Sequence, residues 1–410
     1  MKRDIYILGG HQTDFATNWG KLGHGLFEMM QATVRGCLTS AELDAAEVDS
    51  SHIGNFTGEL FGGQGHLGGF MASIDPGFAG KASSRHEAAC ASGSVAIIAA
   101  MNEILAGHSE LSCVVGIELM RNVNGREAAD HLGAAAWRGR EALEARYLWP
   151  HMFSTLMDEY EQRFGLDEKY LVALSKLAYD NAKNNPLAQT RGWTLTDKHF
   201  AGDAECDPLV EGRVRRHDCG QVTDGAASVL LASPEFAARW AKSRGRSLDS
   251  VARLTGFGHR TSFMSLGEKL AVHQPGQLLF AHVADAAEDA RKRAGLGSID
   301  AVDAVELHDC FAITAYSLIE HLGITEPGQA WKAIEAGDVG RGGKIPVNPS
   351  GGLIGAGHPV GATGVRMLLD AQKQVTATAG DYQVDGARTV QTLNIGGSAT
   401  TAVSFVVAAN

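Results

Sequence analysis

Glycine stands where apolar runs stop. Fifty of the 410 residues are glycine, and pairs such as Gly62-Gly63, Gly68-Gly69, Gly342-Gly343, Gly351-Gly352 and Gly396-Gly397 flank apolar segments. Glycine reaches backbone angles that other residues resist, so the pattern predicts many sharp strand-to-helix turns. Short β-type runs (Asp4 to Leu8, Cys113 to Ile117, Ala227 to Leu231, Ala304 to Leu307, Val403 to Val407) alternate with longer helical patterns, the arrangement of an α/β layered protein. Runs this uniformly apolar belong in sheets covered on both faces.

The texture changes between Met120 and Gln221, where charge rises and Trp137, Trp149 and Trp193 fall together. This reads as an inserted loop or lid domain. Its clearest element is a helix from about Glu168 to Ala182, with Leu171, Leu174, Leu177 and Ala178 as its apolar stripe and Asn184-Asn185-Pro186 as its stop. The flanking halves share a layout of opening strand, helix, second strand and a Gly-flanked turn feeding a long apolar helix. A duplicated α/β unit follows, with residues 1–119 (completed by about 222–249) as one half, 120–221 as the insertion and 250–410 as the other half.

Hydrophobic residues make up 44% of the chain, enough for a large core, and 36 Lys and Arg against 47 Asp and Glu give a formal charge of −11. That balance disfavours nucleic acid or an anionic membrane as partner. The start of the chain lacks the apolar core of a signal peptide, no uninterrupted apolar stretch approaches roughly 18 to 20 residues, and Val407 to Asn410 matches no peroxisomal tripeptide. A cytoplasmic location is the expectation. The six cysteines, at 37, 90, 113, 206, 219 and 310, form no C-x-x-C pair, so they are expected to be reduced thiols without a metal.

Four segments carry chemistry. In Glu87-Ala88-Ala89-Cys90-Ala91-Ser92-Gly93-Ser94 the cysteine precedes the apolar run Val95 to Met101, a buried helix whose positive end is expected to lower the thiol pKa. A packed core cysteine is the plainer alternative. In Glu306-Leu307-His308-Asp309-Cys310-Phe311-Ala312 an imidazole and a thiol stand where a β-run ends and a helix from Ala312 to Leu322 begins, with Gly323 as its stop and Asp309 as its cap. The segment Asn348 to Gly364 has glycines at 351, 352, 355, 357, 361 and 364. It is a poor dinucleotide loop, because no acidic residue follows in a βαβ context and His358-Pro359 obstructs the phosphate turn; His358 suits a base or an oxyanion donor. In Leu393-Asn394-Ile395-Gly396-Gly397-Ser398-Ala399 the glycines bring backbone N–H groups near a ligand. Together these parts suit acyl transfer through a thioester.

The motifs C-A-S-G-S at Cys90, H-D-C-F at His308, G-H-P-V-G-A-T-G at Gly357 and N-I-G-G at Asn394, in that order, resemble those of the thiolase superfamily, specifically its sterol-carrier-protein type. Asp218 to Ala227 is similar to that family's join between loop domain and core. The resemblance implies a thiolase fold, with duplicated βαβαβ halves in a layered α-β-α-β-α core and an inserted loop domain. It implies that Cys90 takes the acyl group, that His358 activates it, that His308 and His358 form an oxyanion hole for the enolate, and that the backbone N–H groups of Cys90 and Gly396 form a second one. Many thiolases carry their acid/base cysteine in a C-x-G motif near the C-terminus, where this chain has Asn394. In the sterol-carrier type the H-D-C-F cysteine takes over that role, which falls to Cys310.

The implied reaction is cleavage of a 3-oxoacyl-CoA by CoA, or the reverse Claisen condensation, with coenzyme A as substrate and no separate cofactor. A homodimer is implied as well, and some thiolase-fold enzymes work with a small zinc-ribbon and OB-fold partner chain. The alternatives are a thiolase-fold acyltransferase or lyase without thiolysis, and a non-catalytic acyl-CoA-binding subunit. Arg213, Arg215 and Arg216 are available to CoA but read equally as a solvated charge run. His151, Met152 and Met157 read as core before acyl pocket, and His86 as structural.

Overall fold

The computed structural model describes residues 4–272, 274 and 276–409. The terminal residues Met1 to Arg3 and Asn410, used above in reading the chain ends, lie outside the described residues. The strands are β1 Ile5–Gln12, β2 Ser50–Gly54, β3 Ala82–His86, β4 Leu111–Glu118, β5 Leu209–Glu211, β6 Val214–Arg215, β7 Gly225–Ala232, β8 Ala252–Thr261, β9 Ala304–Leu307, β10 Thr389–Gly396 and β11 Thr401–Ala408. The helices that position the site are α1 Leu26–Ala41, α2 Ser92–Ala106, α3 Gly125–Leu132, α4 Leu148–Phe164, α5 Lys169–Ala182, α6 Ala281–Ala294, α7 Ala312–His321 and α8 Thr363–Val375.

Nine strands make one sheet in the order β3-β2-β4-β7-β1-β8-β11-β10-β9. It is one pattern used twice. In the first half β2 runs parallel to β3 and β4, and β4, β7 and β1 follow antiparallel. In the second half β10 runs parallel to β9, β10, β11 and β8 follow antiparallel, and Val347 bridges Val305 where the first half has β3. The halves join where Ile5, Tyr6 and Ile7 pair with Leu254, Arg253 and Ala252.

Helix α1 covers the first half from outside and α6 the second, while α2 and α8 lie between them, α8 touching strands of both. The layers are therefore α-β-α-β-α, as the family resemblance implied. The central helices start against each other: a Cβ at Gly93 would strike the Gly361 carbonyl, and one at Gly364 would strike Ser94. No uninterrupted apolar run of bilayer length is present, although Ala89–Ala106, interrupted by Ser92, Ser94, Asn102 and Glu103, is long and apolar enough to cross a membrane by length and composition. Its apolarity is used in packing, because Ile97, Met101 and Ile104 share a buried cluster with Val365, Leu368 and Leu369 of α8.

The chain between β4 and β7 contributes α3, α4, α5 and the β5/β6 hairpin and adds no strand to the large sheet. Leu171, Leu174 and Ala178 of α5 are buried as their spacing requires. Helices α4 and α5 pack on α7, which is buried along its whole length, and Tyr160 of α4 hydrogen-bonds Glu320 of α7.

Candidate active site

Cys90 stands two residues before α2 and His358 five before α8, so the duplicated halves present a thiol and an imidazole at corresponding places. The turn into Cys90 is strained: Ala89 has φ of 50°, a left-handed angle that costs a residue with a Cβ about 1–3 kcal/mol. Local bonds hold it. The Ala89 N–H donates to Glu87 Oε1 at 2.5 Å, and Ser92 Oγ accepts from the Ala88 N–H at 2.9 Å and donates to the Ala89 carbonyl at 2.6 Å.

His308 follows the last residue of β9, and its N–H donates to the Leu393 carbonyl of β10 at 3.0 Å. Asp309 does not cap α7 as expected. Its Oδ1 accepts from the Leu353 N–H at 2.6 Å and its Oδ2 from the Ile354 N–H at 3.4 Å, fixing the glycine-rich loop that leads to His358. A buried carboxylate is better satisfied by those donors than by a helix end that lies beside it.

Cys90 Sγ and one ring nitrogen of each of His308 and His358 lie within 4.8 Å of one another. The imidazoles meet edge to face, with centroids 5.2 Å apart. Thr363 Oγ1 donates to the Pro359 carbonyl at 3.0 Å, so at 2.7 Å it accepts from His358 Nδ1–H and leaves Nε2 as the basic nitrogen. His308 Nδ1 meets the side-chain amide of Asn394 at 2.9 Å, and His308 Nε2 is buried without a partner. The Asn394 orientation that satisfies every neighbour accepts from His308 with Oδ1 and donates with Nδ2 to Ser94 Oγ at 2.8 Å and the Cys90 carbonyl at 3.2 Å. Resting His308 then offers Nε2 as an acceptor, and it becomes an oxyanion donor only when the amide turns or a proton arrives. Among the described residues this trio is also the set that could hold a soft metal ion, although a structural zinc site would need a fourth ligand.

Burial dominates the electrostatics. The expectation that the helix end lowers the Cys90 thiol is reversed: desolvation pushes it up to about 12, against a lowering by the backbone N–H of Gly397. His358 falls to about 3 through burial and then the charge of Arg366, and His308 drops well below its ordinary value through burial, His358 and Arg366. The Cys310 thiol is raised well above its ordinary value, first by burial and next by Cys90. The resting pair is a neutral thiol and a neutral imidazole. Arg366 is itself fully buried between Glu306 at 3.0 Å and Asp370 at 3.1 Å.

Both thiols and His358 line one cavity of about 310 Å³. Gly397 lines it too, and its N–H reaches the Cys90 sulfur. Gly396, whose N–H was expected at the second oxyanion hole, precedes Gly397 and packs on the Ala88 carbonyl, leaving no space for a side chain. Glu118 draws loops of both halves to the cavity, accepting from the N–H groups of Phe56 at 2.9 Å and Gly361 at 3.0 Å. Of the arginines, Arg213 is paired with Asp158, Glu161 and Glu168, whereas Arg216 lines both this cavity and a neighbouring one of about 300 Å³ walled by Tyr179, Trp193 and Phe200. Met152 and Met157 are core residues, and His86 bonds His52 at 3.1 Å away from the cavity lining. Sequence reasoning missed Trp149, Phe153 and Phe311 as cavity walls; a tryptophan and a phenylalanine four apart on one helix face was the available signal.

Residues 5–166 match the family described as Thiolase, N-terminal domain, and residues 266–409 that described as Thiolase C-terminal domain-like. The chain is 30% identical to an acetyl-CoA acetyltransferase of Methanothermobacter thermautotrophicus, over 98% of this chain and 99% of that one. It is 26% identical to sterol carrier protein 2 of Homo sapiens over 96% of this chain and 70% of that one. Among solved structures it is similar to the Ltp2-ChsH2(DUF35) aldolase, with a TM-score of 0.77 at 17% identity, over 99% of this chain and 98% of that chain.

Proposed function

Because the chain belongs to the thiolase family, we propose that it is an acyltransferase that cleaves a 3-oxoacyl-CoA with CoA, or runs the reverse condensation, through an acyl group on Cys90. The observation that carries this is the placing of two thiols, Cys90 and Cys310, on one cavity with His358. Cys90 gives its proton to His358 Nε2 and the thiolate attacks the 3-keto carbon, where the N–H groups of Gly397 and Cys90 face the developing alkoxide. Collapse breaks the bond between C2 and C3. The electron pair leaves as a thioester enolate, whose oxygen faces the imidazole pair, and Cys310 protonates C2. A CoA thiol then gives its proton to the Cys310 thiolate and attacks the acyl group, and Cys90 departs and recovers its proton from His358. Each preorganised donor is worth about 3 kcal/mol of barrier in a site of this kind. Arg216, which borders both the catalytic cavity and the aromatic-walled one, is the cationic side chain proposed to meet the phosphates of the CoA arm.

A lyase would have no use for two thiols in one cavity, which favours thiolysis. A homodimer is the proposed assembly, supported by the open sheet edge at β3, where Ala82, Ser83 and Ser84 are exposed. A small zinc-ribbon and OB-fold partner and a cytoplasmic setting stay within the proposal. The test is a thiolysis assay on the purified chain with CoA and acetoacetyl-CoA, followed by absorbance. Turnover without a partner chain is expected, and the absence of both thiolysis and an acyl adduct on Cys90 would support the aldolase-like alternative.

A further inference from the structure

We propose that the acyl group carried by Cys90 is an apolar chain of several carbons, seated against α3 and α4, with Ala129 and Ala135 setting how far it extends. This rests on the thiolase reading above. The cavity has two unlike walls. Arg216, Cys219, Gly220 and Gln221 supply the polar one, suited to a CoA arm. The other is apolar: α3 turns Gly125, Ala129 and Leu132 inward at helical spacing, Ala135 follows, and Trp149 and Phe153 face them from α4.

The polar atoms of that apolar wall are already used. Trp149 Nε1–H donates to the Leu132 carbonyl at 2.9 Å, so the indole presents carbon to the cavity. Phe153 stacks on Phe311, the neighbour of Cys310, with centroids 4.4 Å apart and planes at 25°. Cys90 itself packs against the apolar cluster of Phe56, Met120 and Val360. A two-carbon acyl group on Cys90 would reach few of the side chains of that wall, which extends over two helices. A chain that fills the apolar wall gains about fourfold in affinity per buried methylene. The small side chains of Ala129 and Ala135 are what keep the space open.

The experiment measures kcat/KM for thiolysis of acetoacetyl-, 3-oxohexanoyl-, 3-oxooctanoyl- and 3-oxodecanoyl-CoA by the wild-type chain and by Ala129→Leu and Ala135→Leu. Wild type is expected to favour 3-oxooctanoyl-CoA over acetoacetyl-CoA at least tenfold, and each variant to lower that ratio at least tenfold. A flat or falling series in wild type overturns the proposal, as does an unchanged ratio in both variants. Calorimetric titration with octanoyl-CoA and acetyl-CoA reads the pocket without turnover. At least tenfold tighter octanoyl-CoA binding supports the apolar seat even where no thiolysis is seen, whereas equal binding overturns it. Failure of the thiolase reading shows separately, as the absence of cleavage and of any acyl adduct on Cys90 at every chain length.

Discussion

Thr363 accepts from His358 Nδ1 at 2.7 Å while its own proton goes to the Pro359 carbonyl at 3.0 Å. One hydroxyl thus decides which imidazole nitrogen can receive the Cys90 proton. Thr363→Val should leave the helix start intact, because valine matches threonine in shape, yet remove the acceptor. A kcat loss of roughly tenfold to a hundredfold is expected, smaller than the ~10²–10⁴ of losing a base outright. An unchanged kcat would show that the tautomer is set elsewhere.

Asn394 gives a second test because its amide can either accept from or donate to His308 Nδ1. Asn394→Leu can do neither, so nothing fixes the His308 tautomer. If His308 works as a donor to the enolate, carbon–carbon cleavage should fall about 10²–10³-fold. Exchange of labelled CoA into acetyl-CoA, which passes through no enolate, should fall far less. Equal losses in both reactions would remove His308 from the enolate step.

The neutral resting pair has a pH signature. With the Cys90 thiol near 12 and His358 near 3, iodoacetamide labelling of Cys90 should climb steadily from pH 7 to pH 10. A plateau already reached below pH 7 would mean a thiolate–imidazolium pair. The same shifts bear on stability. The raised thiol keeps its proton in the folded state above the unfolded value of about 8.5, so stability falls as pH rises from there toward 12. The lowered imidazole sheds its proton in the folded state, so stability falls as pH drops from about 6.5 toward 3.

Arg366 is fully buried and balances Glu306, two residues before His308, as well as Asp370. Arg366→Met leaves both carboxylates in the core without their cation. A loss of about 3–5 kcal/mol is expected from urea unfolding midpoints. A loss under about 1 kcal/mol would mean that the carboxylates take up protons at little cost.

The sequence made the duplicated layout legible because the apolar runs and glycine turns repeat, and it identified Cys90, His308, Cys310 and His358, whose side chains the fold brings together. What it could not show were effects that depend on the surroundings. The charge state of Cys90 is set by burial, which outweighs the helix end that local sequence reveals. Asp309 was claimed by loop N–H groups 44 and 45 residues further on, a competition invisible from its neighbours. Gly396 and Gly397 look alike in sequence, and only the packing on Ala88 distinguishes the one that closes space from the one that faces the sulfur. The apolar wall was missed because Trp149 and Phe153 sit in a segment where aromatic residues also build core.

The central claim is that Cys90 carries the acyl group and Cys310 moves the protons that make and release it. Intact-protein mass spectrometry after mixing with 3-oxooctanoyl-CoA, without added CoA, tests both at once. Wild type should gain the mass of a hexanoyl group, mapped to the Cys90 peptide and discharged rapidly by CoA; Cys310→Ala, whose enolate lacks its proton donor, should gain it far more slowly and then hold it against CoA, while Cys90→Ala should gain nothing. An adduct that persists in Cys90→Ala, or discharge at the wild-type rate in Cys310→Ala, would contradict it.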